Sequence, residues 1–497
     1  MPSMLTAAEP DHSNRLDTIP LCVDLDGTLV KTDMLLESLL LLLKARPLFF
    51  FLLPFWLLKG RACLKEQIAQ RVTLDVACLP YNVPFLAFLR EQHRAGRPLL
   101  LITASDMAIA RPIATHLGLF SEVFASNGKT NLRGSEKLKV LRENLGGKDF
   151  DYAGDSAVDL EIWNCARQSI LVGGGKKLHN KLRGIAPACL VFPSKRDRLK
   201  ACLYSLRPHQ WAKNALIFVP LLVSHQFTNF KLLVDAIWAF LAFSLCASSV
   251  YVLNDLVDLE ADRHHSSKKY RPFAAGDLPL AVGIAMVAVL LVGSLAVSRW
   301  LPLSFVMILG LYYLLTLAYS LRLKRVVLVD VMVLASLYTI RIFAGAQATG
   351  VVLSSWLLQF SMFFFLSLAL LKRFSELHKA ARENQEAIQG RGYSTVDIQQ
   401  LVSMGVASGY MAVLVLGFYV SSREVAILYV SPEMLWLLCP ALLYWINRAW
   451  LLGHRGLMND DPVVFALRDR RSYWIGIIVA FVMFLSKYDL RSLLSGS

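Results

Sequence analysis

Charge is scarce in this chain. Of 497 residues only 18% are Asp, Glu, Lys or Arg, against roughly 25% in an ordinary soluble domain. The 37 acids are outnumbered by 52 Lys and Arg, for a net charge of +15. The eight cysteines are scattered with no CxxC pair, which argues against a zinc ribbon or a disulfide framework. The first twenty residues, MPSMLTAAEPDHSNRLDTIP, are polar and lack the apolar core of a secretory signal. The first domain is therefore expected in the cytoplasm. No repeat of fixed period is visible. Hydrophobic residues make up 55% of the chain, so a disordered chain is excluded and a wholly soluble enzyme is not expected. In so apolar a chain, excess positive charge reads as basic loops at the inner membrane face rather than as a nucleic-acid surface.

The apolar residues are unevenly distributed. Residues 1–200 alternate short apolar runs with polar turns, as a globular α/β domain does. Residues 201–497 are dominated by long apolar segments. The break falls at Pro193-Ser194-Lys195-Arg196-Asp197-Arg198. A spanning helix needs about 20 apolar residues, and nine such segments are expected, near 211–227, 232–254, 278–298, 301–320, 327–348, 353–371, 401–420, 425–447 and 473–488. Basic residues concentrate in alternate loops: Arg263, Lys268, Lys269 and Arg271; Arg322, Lys324 and Arg325; Lys372, Arg373, Lys379, Arg382 and Arg391; Arg448, Arg455, Arg468, Arg470 and Arg471. By the positive-inside rule those loops face the cytoplasm, with the N-terminal domain. The expected location is a multi-pass protein of the inner (plasma) membrane.

In the first half, the apolar run Leu21-Cys22-Val23 leads into Asp24-Leu25-Asp26-Gly27-Thr28. Two carboxylates two residues apart can share a magnesium ion while one attacks phosphorus and the other moves protons. A second apolar run, Leu99 to Ile102, ends at Thr103, whose hydroxyl suits a phosphate oxygen; Lys137 suits the phosphoryl charge. A third, Phe150 to Ala153, ends in Gly154-Asp155-Ser156 with Asp159 beyond it. Asp155 and Asp159 can complete a hard, oxygen-only magnesium site. The set DxDGT, strand-terminal Thr, Lys, GDSxxD resembles the haloacid dehalogenase (HAD) superfamily over roughly residues 18–190. The resemblance implies an α/β Rossmann-like phosphatase with a helical cap, Asp24 as nucleophile, Asp26 as acid/base, and Asp24, Asp26, Asp155 and Asp159 around Mg2+. After the first motif come two strongly apolar stretches, Leu35 to Leu43 and Pro47 to Leu58, neither of spanning length. They read as a buried helical cap, or alternatively as a cap that dips into the bilayer face.

In the second half, Asn254-Asp255-Leu256-Val257-Asp258-Leu259-Glu260-Ala261-Asp262-Arg263 closes a spanning segment. Spacings of three and four place Asp255, Asp258 and Asp262 on one helical face. Such acids mark a functional site by default, and a divalent cation would relieve their repulsion. Lys268-Lys269-Tyr270-Arg271 follow as phosphate-binding cations. NDxxDxxxD and the helix count resemble the UbiA family of membrane prenyltransferases. The closer resemblance is to the decaprenyl-phosphate phosphoribosyltransferase branch, through RPHQWAKN at 207–214, KYRPFAAG at 269–276, YSLRLK at 319–324 with Asp330, KRFSEL at 372–377 and ALRDR at 466–470. It implies an all-α nine-helix UbiA-like bundle. It also implies substrate contacts by Lys213, Asn214, Asn254, Lys268, Lys269, Arg271, Tyr319, Lys324, Arg341, Lys372 and Glu376, with catalysis by Asp255 and Asp258 and metal at Asp255, Asp258 and Asp262.

One departure stands out. The sixth helix of UbiA enzymes carries a second Asp-rich motif, whereas Lys372-Arg373-Phe374-Ser375-Glu376 here has one acid and two cations. The alternative is that these cations only anchor the helix at the interface. Asp330 and Arg341 face a cavity or pair with each other; His209 and Trp211 read as interfacial anchors. The function expected by resemblance is transfer of 5-phosphoribose from phosphoribosyl diphosphate to a polyprenyl phosphate, in cell-wall biosynthesis, with the fused phosphatase removing the 5-phosphate. The alternatives are an aromatic prenyltransferase using a polyprenyl diphosphate, and a transporter of phosphorylated sugars or lipids.

Overall fold

The computed structural model describes residues 19–185, 189–193, 197–384, 391–458, 461–466 and 469–487. The polar N-terminus, Ser194–Arg196 of the break and Arg468 of the ALRDR segment lie outside the described residues. The chain divides into two compact units: residues 1–206 with 252–286, and residues 207–251 with 287–497.

The first unit is built on a six-stranded parallel sheet: β1 (Leu21–Val23), β2 (Leu99–Asp106), β3 (Glu122–Ser126), β4 (Asp151–Gly154), β5 (Ser169–Gly173) and β6 (Cys189–Pro193), in the order β3-β2-β1-β4-β5-β6. Side chains alternate across a strand. Leu21 and Val23 therefore pack under the helices Val83–Arg94 and Met107–Leu117. Cys22 faces the opposite layer with Leu141, Ile162 and Trp163. Both faces are covered, which is why the strands read as continuous apolar runs. In this order the connections reverse between β1 and β4, and a crevice opens there at the carboxyl ends of the strands. The residues after those two strands are Asp24 and Asp155.

Between β1 and β2 lies the helical insert: α1 (Met34–Ala45), a 3-10 turn (Pro47–Leu52), α2 (Leu53–Leu58) and α3 (Arg61–Ala69). The α1 helix is capped by the Asp33 carboxylate, which accepts from the Leu36 N–H at 3.0 Å. Buried residues occur in α1 and α3, but none lies between Pro47 and Leu58. A fully buried cap is thus not what forms.

Seven helices among the described residues are long and apolar enough to cross a membrane. They are α5 (Phe230–Val257), α7 (Leu280–Ser298), α8 (Leu303–Leu321), α9 (Val329–Thr349), α10 (Ser355–Arg382), α11 (Ile398–Val420, after the turn Thr395–Asp397) and α12 (Leu438–His454, after the turn Pro432–Leu437). Lys137 lies on α4 (Ser135–Leu145), and the short α6 (Leu259–His264) follows α5. The expected count of nine is not reproduced. Residues 211–227 form a 3-10 segment (Pro208–Phe218) and a short helix (Val219–Val223), and the last apolar segment forms the 16-residue α13 (Arg470–Leu485). The expected 425–447 span divides into Arg423–Leu428 and α12, with the Pro432 turn between them. Helix α10 runs past residue 371, so Lys372, Arg373 and Glu376 are helical rather than in a loop. Seven such helices make this a multi-pass membrane protein.

Candidate functional site

The crevice between β1 and β4 collects four of the predicted groups. Asp24 is 8% exposed and accepts from its neighbour's N–H, Leu25, at 2.8 Å. The buried Lys137 ammonium lies 2.8 Å from Asp24 Oδ1. Carboxylate oxygens of Asp24, Asp155 and Asp159 lie within 4.8 Å of one another. These hard, buried oxygen donors fit a magnesium ion. Asp159 is fixed by the Ser156 N–H and hydroxyl, at 3.1 and 2.9 Å, and by the Tyr152 hydroxyl at 3.0 Å. Gly27 has φ +74°, and a Cβ there would stand 2.1 Å from Asp155 Oδ2, so the DxDGT glycine leaves room for that carboxylate.

Asp26 was expected among the metal ligands, but its carboxylate stands outside the cluster. Oδ1 accepts from the Met34 N–H at 2.7 Å and Oδ2 from the Ser105 hydroxyl at 2.6 Å. The Thr103 hydroxyl reaches the same oxygen at 3.5 Å and accepts from the Ser105 N–H at 3.0 Å. Burial raises the Asp26 pKa above the usual carboxylate range. Burial also raises Asp24 to about 6, with Lys137 opposing and Asp159 and Asp26 adding to the rise. Asp155 is pushed to about 8, chiefly by burial and then by Asp24. Lys65, on α3, donates to the Ala104 carbonyl at 2.6 Å and to Asn131 Oδ1 at 2.8 Å. A cavity of about 1570 Å³ opens over Asp24, Asp26, Lys137 and Asp155.

The acid motif at the end of α5 departs from the expected single face. The helix breaks at Asp258, whose φ of −101° and ψ of 20° leave Asp255 on α5 and Asp262 on α6. Arg271 bridges the two, 3.2 Å from Asp255 Oδ1 and 2.6 Å from Asp262 Oδ2. Asp258 instead pairs with Lys44 of α1 at 2.9 Å, and Glu37 of the same helix forms an ion pair with Arg263. The three carboxylates thus do not converge as those of the first cluster do. Asp255 and Asp262, both buried and within reach of one guanidinium, are the pair whose donor chemistry fits a divalent ion. Lys268 and Lys269 form a 3-10 turn beside them in sequence, and Asn254 precedes Asp255 on α5.

In the second unit, Lys213 forms an ion pair with Asp461, and Lys372 lies 3.6 Å from the same carboxylate. The two lysines hold the Asp461 pKa down, to about 2. Arg341 and Asp330 do not pair with each other. Arg341 donates to Asn214 Oδ1 at 2.9 Å and to the Tyr312 hydroxyl at 3.2 Å; Asn214 in turn donates to Ser244 at 2.9 Å. Asp330 is held by Arg373 at 2.7 Å and by the Tyr393 hydroxyl at 2.5 Å. Arg373 also pairs with Glu376, and both Glu376 and the Tyr319 hydroxyl are approached by Arg391, at 3.4 Å each. Arg373 is fully buried, so it is no interfacial anchor. The Trp211 indole donates to Ser248 at 2.9 Å. Lys324 lies in the 3-10 turn after α8.

Several residues of these sites were not among those singled out from the sequence. Ser105 could have been found, being two residues past Thr103 on the same face of β2. Lys44, Lys65 and Asp461 come from segments with no pattern of their own. A surface group also gathers Asp75, Cys78 and His264, with His264 Nε2 3.0 Å from Asp75 and both ring nitrogens 3.4 Å from Cys78 Sγ. Cysteine spacing alone gave no hint of it.

Comparison with known proteins agrees with both halves. Residues 21–162 match the haloacid dehalogenase-like hydrolases, and residues 216–468 match the UbiA prenyltransferase family. An uncharacterised protein of Sinorhizobium fredii, y4nM, is 40% identical over 94% of this chain and 91% of its own length. The nodulation protein NoeC of Azorhizobium caulinodans is 37% identical over 54% of this chain and 86% of its own. The decaprenyl-phosphate phosphoribosyltransferase of Mycobacterium tuberculosis is 38% identical over 36% of this chain, which spans 60% of that enzyme. The chain belongs to the UbiA prenyltransferase family and carries a haloacid dehalogenase-like hydrolase domain at its N-terminal end.

Proposed function

We propose that the UbiA half, residues 201–497, transfers 5-phosphoribose from phosphoribosyl diphosphate to a polyprenyl phosphate, and that the hydrolase half, residues 1–200, then removes the 5-phosphate. The observation that carries the first step is the pair of lysines around Asp461. Lys372 stands where a prenyl-diphosphate enzyme would place acids for a second metal, and a donor with an extra phosphate calls for cations instead. Similarity to the phosphoribosyltransferases supports the same donor.

In this scheme Asp255 and Asp262, with Asp258, hold magnesium, and Arg271, Lys268, Lys269 and Lys324 hold the donor's phosphate oxygens. Lys213 and Lys372 hold oxygens of the donor's additional phosphate. An anionic oxygen of the lipid phosphate attacks the anomeric carbon of the ribose, and the bond to the diphosphate breaks. The nucleophile is already ionised, so no general base is required. Magnesium, when bound, neutralises the departing diphosphate.

In the hydrolase half, Asp24 attacks the phosphorus of the 5-phosphate while Lys137 offsets the phosphoryl charge. Asp26 gives its proton to the departing alkoxide, then takes one from the water that cleaves the phospho-aspartate. Its raised pKa suits the protonated form that begins the cycle. The basic loops support a position for this unit on the cytoplasmic side of the inner membrane.

The test is mass spectrometry of lipids made by the purified full chain. Wild-type protein with polyprenyl phosphate and phosphoribosyl diphosphate should yield lipid-linked ribose and inorganic phosphate. Asp24→Asn should stop at the phosphorylated lipid. Label entering lipid only from a prenyl diphosphate would refute the transferase reading; complete dephosphorylation by Asp24→Asn would refute the hydrolase one.

A further inference from the structure

The apolar segment from Pro47 to Leu58 has no use in the scheme above, and it exposes seven large apolar side chains, against three in the helix Arg198–Leu206 of the same unit. Leu48 is 78% exposed, Phe51 68% and Leu58 85%, with Phe50, Phe55 and Leu57 exposed as well. The segment is nevertheless built to hold its shape. Phe49 and Trp56 turn toward each other with ring centroids 5.7 Å apart, and the Arg71 guanidinium lies over both rings, at 5.8 and 5.1 Å. One side of the turn is fastened down and the other offers phenylalanine and leucine to the surroundings. Twelve residues reach about 18 Å as a helix, well short of the roughly 30 Å of a hydrocarbon core, so the segment cannot cross a bilayer.

Its flanks point to the partner. Between Glu37 and Glu66 there is no acidic residue, while Lys44, Arg46, Lys59, Arg61 and Lys65 all lie there. Arg46, Lys59 and Arg61, which bracket the apolar turn, are exposed. An apolar face ringed by cations is the signature of an element lying in the headgroup region of an anionic bilayer. The same unit carries the end of α5 and the start of α7, two helices of spanning length. The α1 helix, which leads into the turn, is tied through Lys44 to Asp258 and through Glu37 to Arg263, directly beyond the end of α5. The cavity over Asp24 is lined at once by Leu57, Arg61 and Leu64 of the insert and by Leu280 and Ala281, the first residues of α7.

We propose that residues 47–58 insert into the anionic inner leaflet as an interfacial wedge, and that a phosphomonoester carried on a lipid enters the Asp24 cavity along Leu57 and Leu64. The second clause rests on the hydrolase reading given above; the first does not. Phe50, Phe51, Phe55 and Leu58 are the anchors, and Arg46, Lys59 and Arg61 hold headgroup phosphates.

Two measurements on the full chain in nanodiscs of phosphatidylethanolamine and phosphatidylglycerol test this. Photoreactive benzoylphenylalanine at position 51 or 58 should give adducts of phospholipid mass, and at exposed Arg90 on the helix Val83–Arg94 it should give none. Adducts only to a second copy of the chain, or no lipid adduct at 51 and 58, overturn the insertion. The variant F50S/F51S/F55S/L58S should hydrolyse p-nitrophenyl phosphate within about twofold of wild type, yet lose about tenfold or more in kcat/KM on a long-chain alkyl riboside 5-phosphate. Equal kcat/KM on the alkyl riboside overturns the entry route. A wild-type protein that cleaves the soluble ester but not the alkyl riboside overturns the substrate reading, and the lipid adducts then decide the insertion alone.

Discussion

Replacing Gly27 by alanine tests the hydrolase site at the point where backbone and metal chemistry meet. Gly27 sits at φ +74°, a conformation that costs an L-residue about 1–2 kcal/mol. The new methyl would also lie 2.1 Å from Asp155 Oδ2, whereas ordinary van der Waals contact is about 3.5–4.0 Å. The carboxylate must therefore withdraw by more than an ångström, out of the cluster with Asp24 and Asp159. The strain alone should lower the melting temperature of the α/β unit by roughly 2–8 °C, at about 2–4 °C per kcal/mol for a domain of this size. Misplacing a ligand should weaken magnesium binding by at least about 10–100-fold, the loss typical when only the support of a ligand is removed. The assay is phosphate release from a soluble phosphomonoester across a magnesium titration. The half-saturating concentration should rise and part of the rate should return at high magnesium, while lipid product formation by the UbiA half stays unchanged. A variant that loses phosphatase activity with the magnesium dependence of wild type would refute the collision as the cause.

Other outcomes follow from the same geometry. Because Asp24 and Asp155 have pKa values raised to about 6 and 8, magnesium binding near neutral pH must expel protons. Calorimetry in buffers of different ionisation enthalpy should show net proton release and affinity that falls as pH drops below 8; no release would contradict the burial argument. The sign for stability is the reverse. Carboxylates whose folded pKa is raised favour the protonated form, so the metal-free unit should lose stability as pH rises from about 4 through 8, and magnesium should restore it. Thermal melts with and without magnesium across that window check this. Arg373→Met should destabilise the protein by about 3–5 kcal/mol, toward the low end because Arg391 also approaches Asp330, and adding Asp330→Asn should recover much of it; strict additivity in melting temperature would count against the pair. Asp255→Ala and Asp262→Ala should each abolish incorporation of labelled phosphoribose into lipid, and unchanged turnover in either would break the transferase scheme.

The sequence carried the α/β sheet in plain form. Strands buried on both faces leave unbroken apolar runs, and the candidate residues Asp24, Thr103 and Asp155 each follow one, so they could be picked out from local pattern alone. The spacing of the acids after α5 was read as one helical face, but the helix breaks at Asp258 and the pairing partner of that acid, Lys44, lies 214 residues away. No periodicity reports a contact of that range. The same holds for Asp461, whose role emerges only because Lys213 and Lys372 meet there. Helix count differs at the first and last expected segments, where apolar composition is ample but the helices are short: residues 208–223 form a 3-10 segment and a five-residue helix, and the last forms 16 helical residues. The insert was legible as apolar, and its composition alone did not say whether a core or an outer phase would receive it.

Helix α1 holds two distant events in one rigid body. Its first residue, Met34, donates its N–H to Asp26, and one residue from its other end Lys44 holds Asp258. A ligand that drew Asp258 away from Lys44 would change the free energy of the helix position that also fixes the Asp26 carboxylate. By thermodynamic reciprocity, a ligand that moves Asp26 must alter affinity at Asp258 by the same factor. On the proposed scheme, a ligand at Asp258 and one at Asp26 would thus be linked through the twelve residues of this helix.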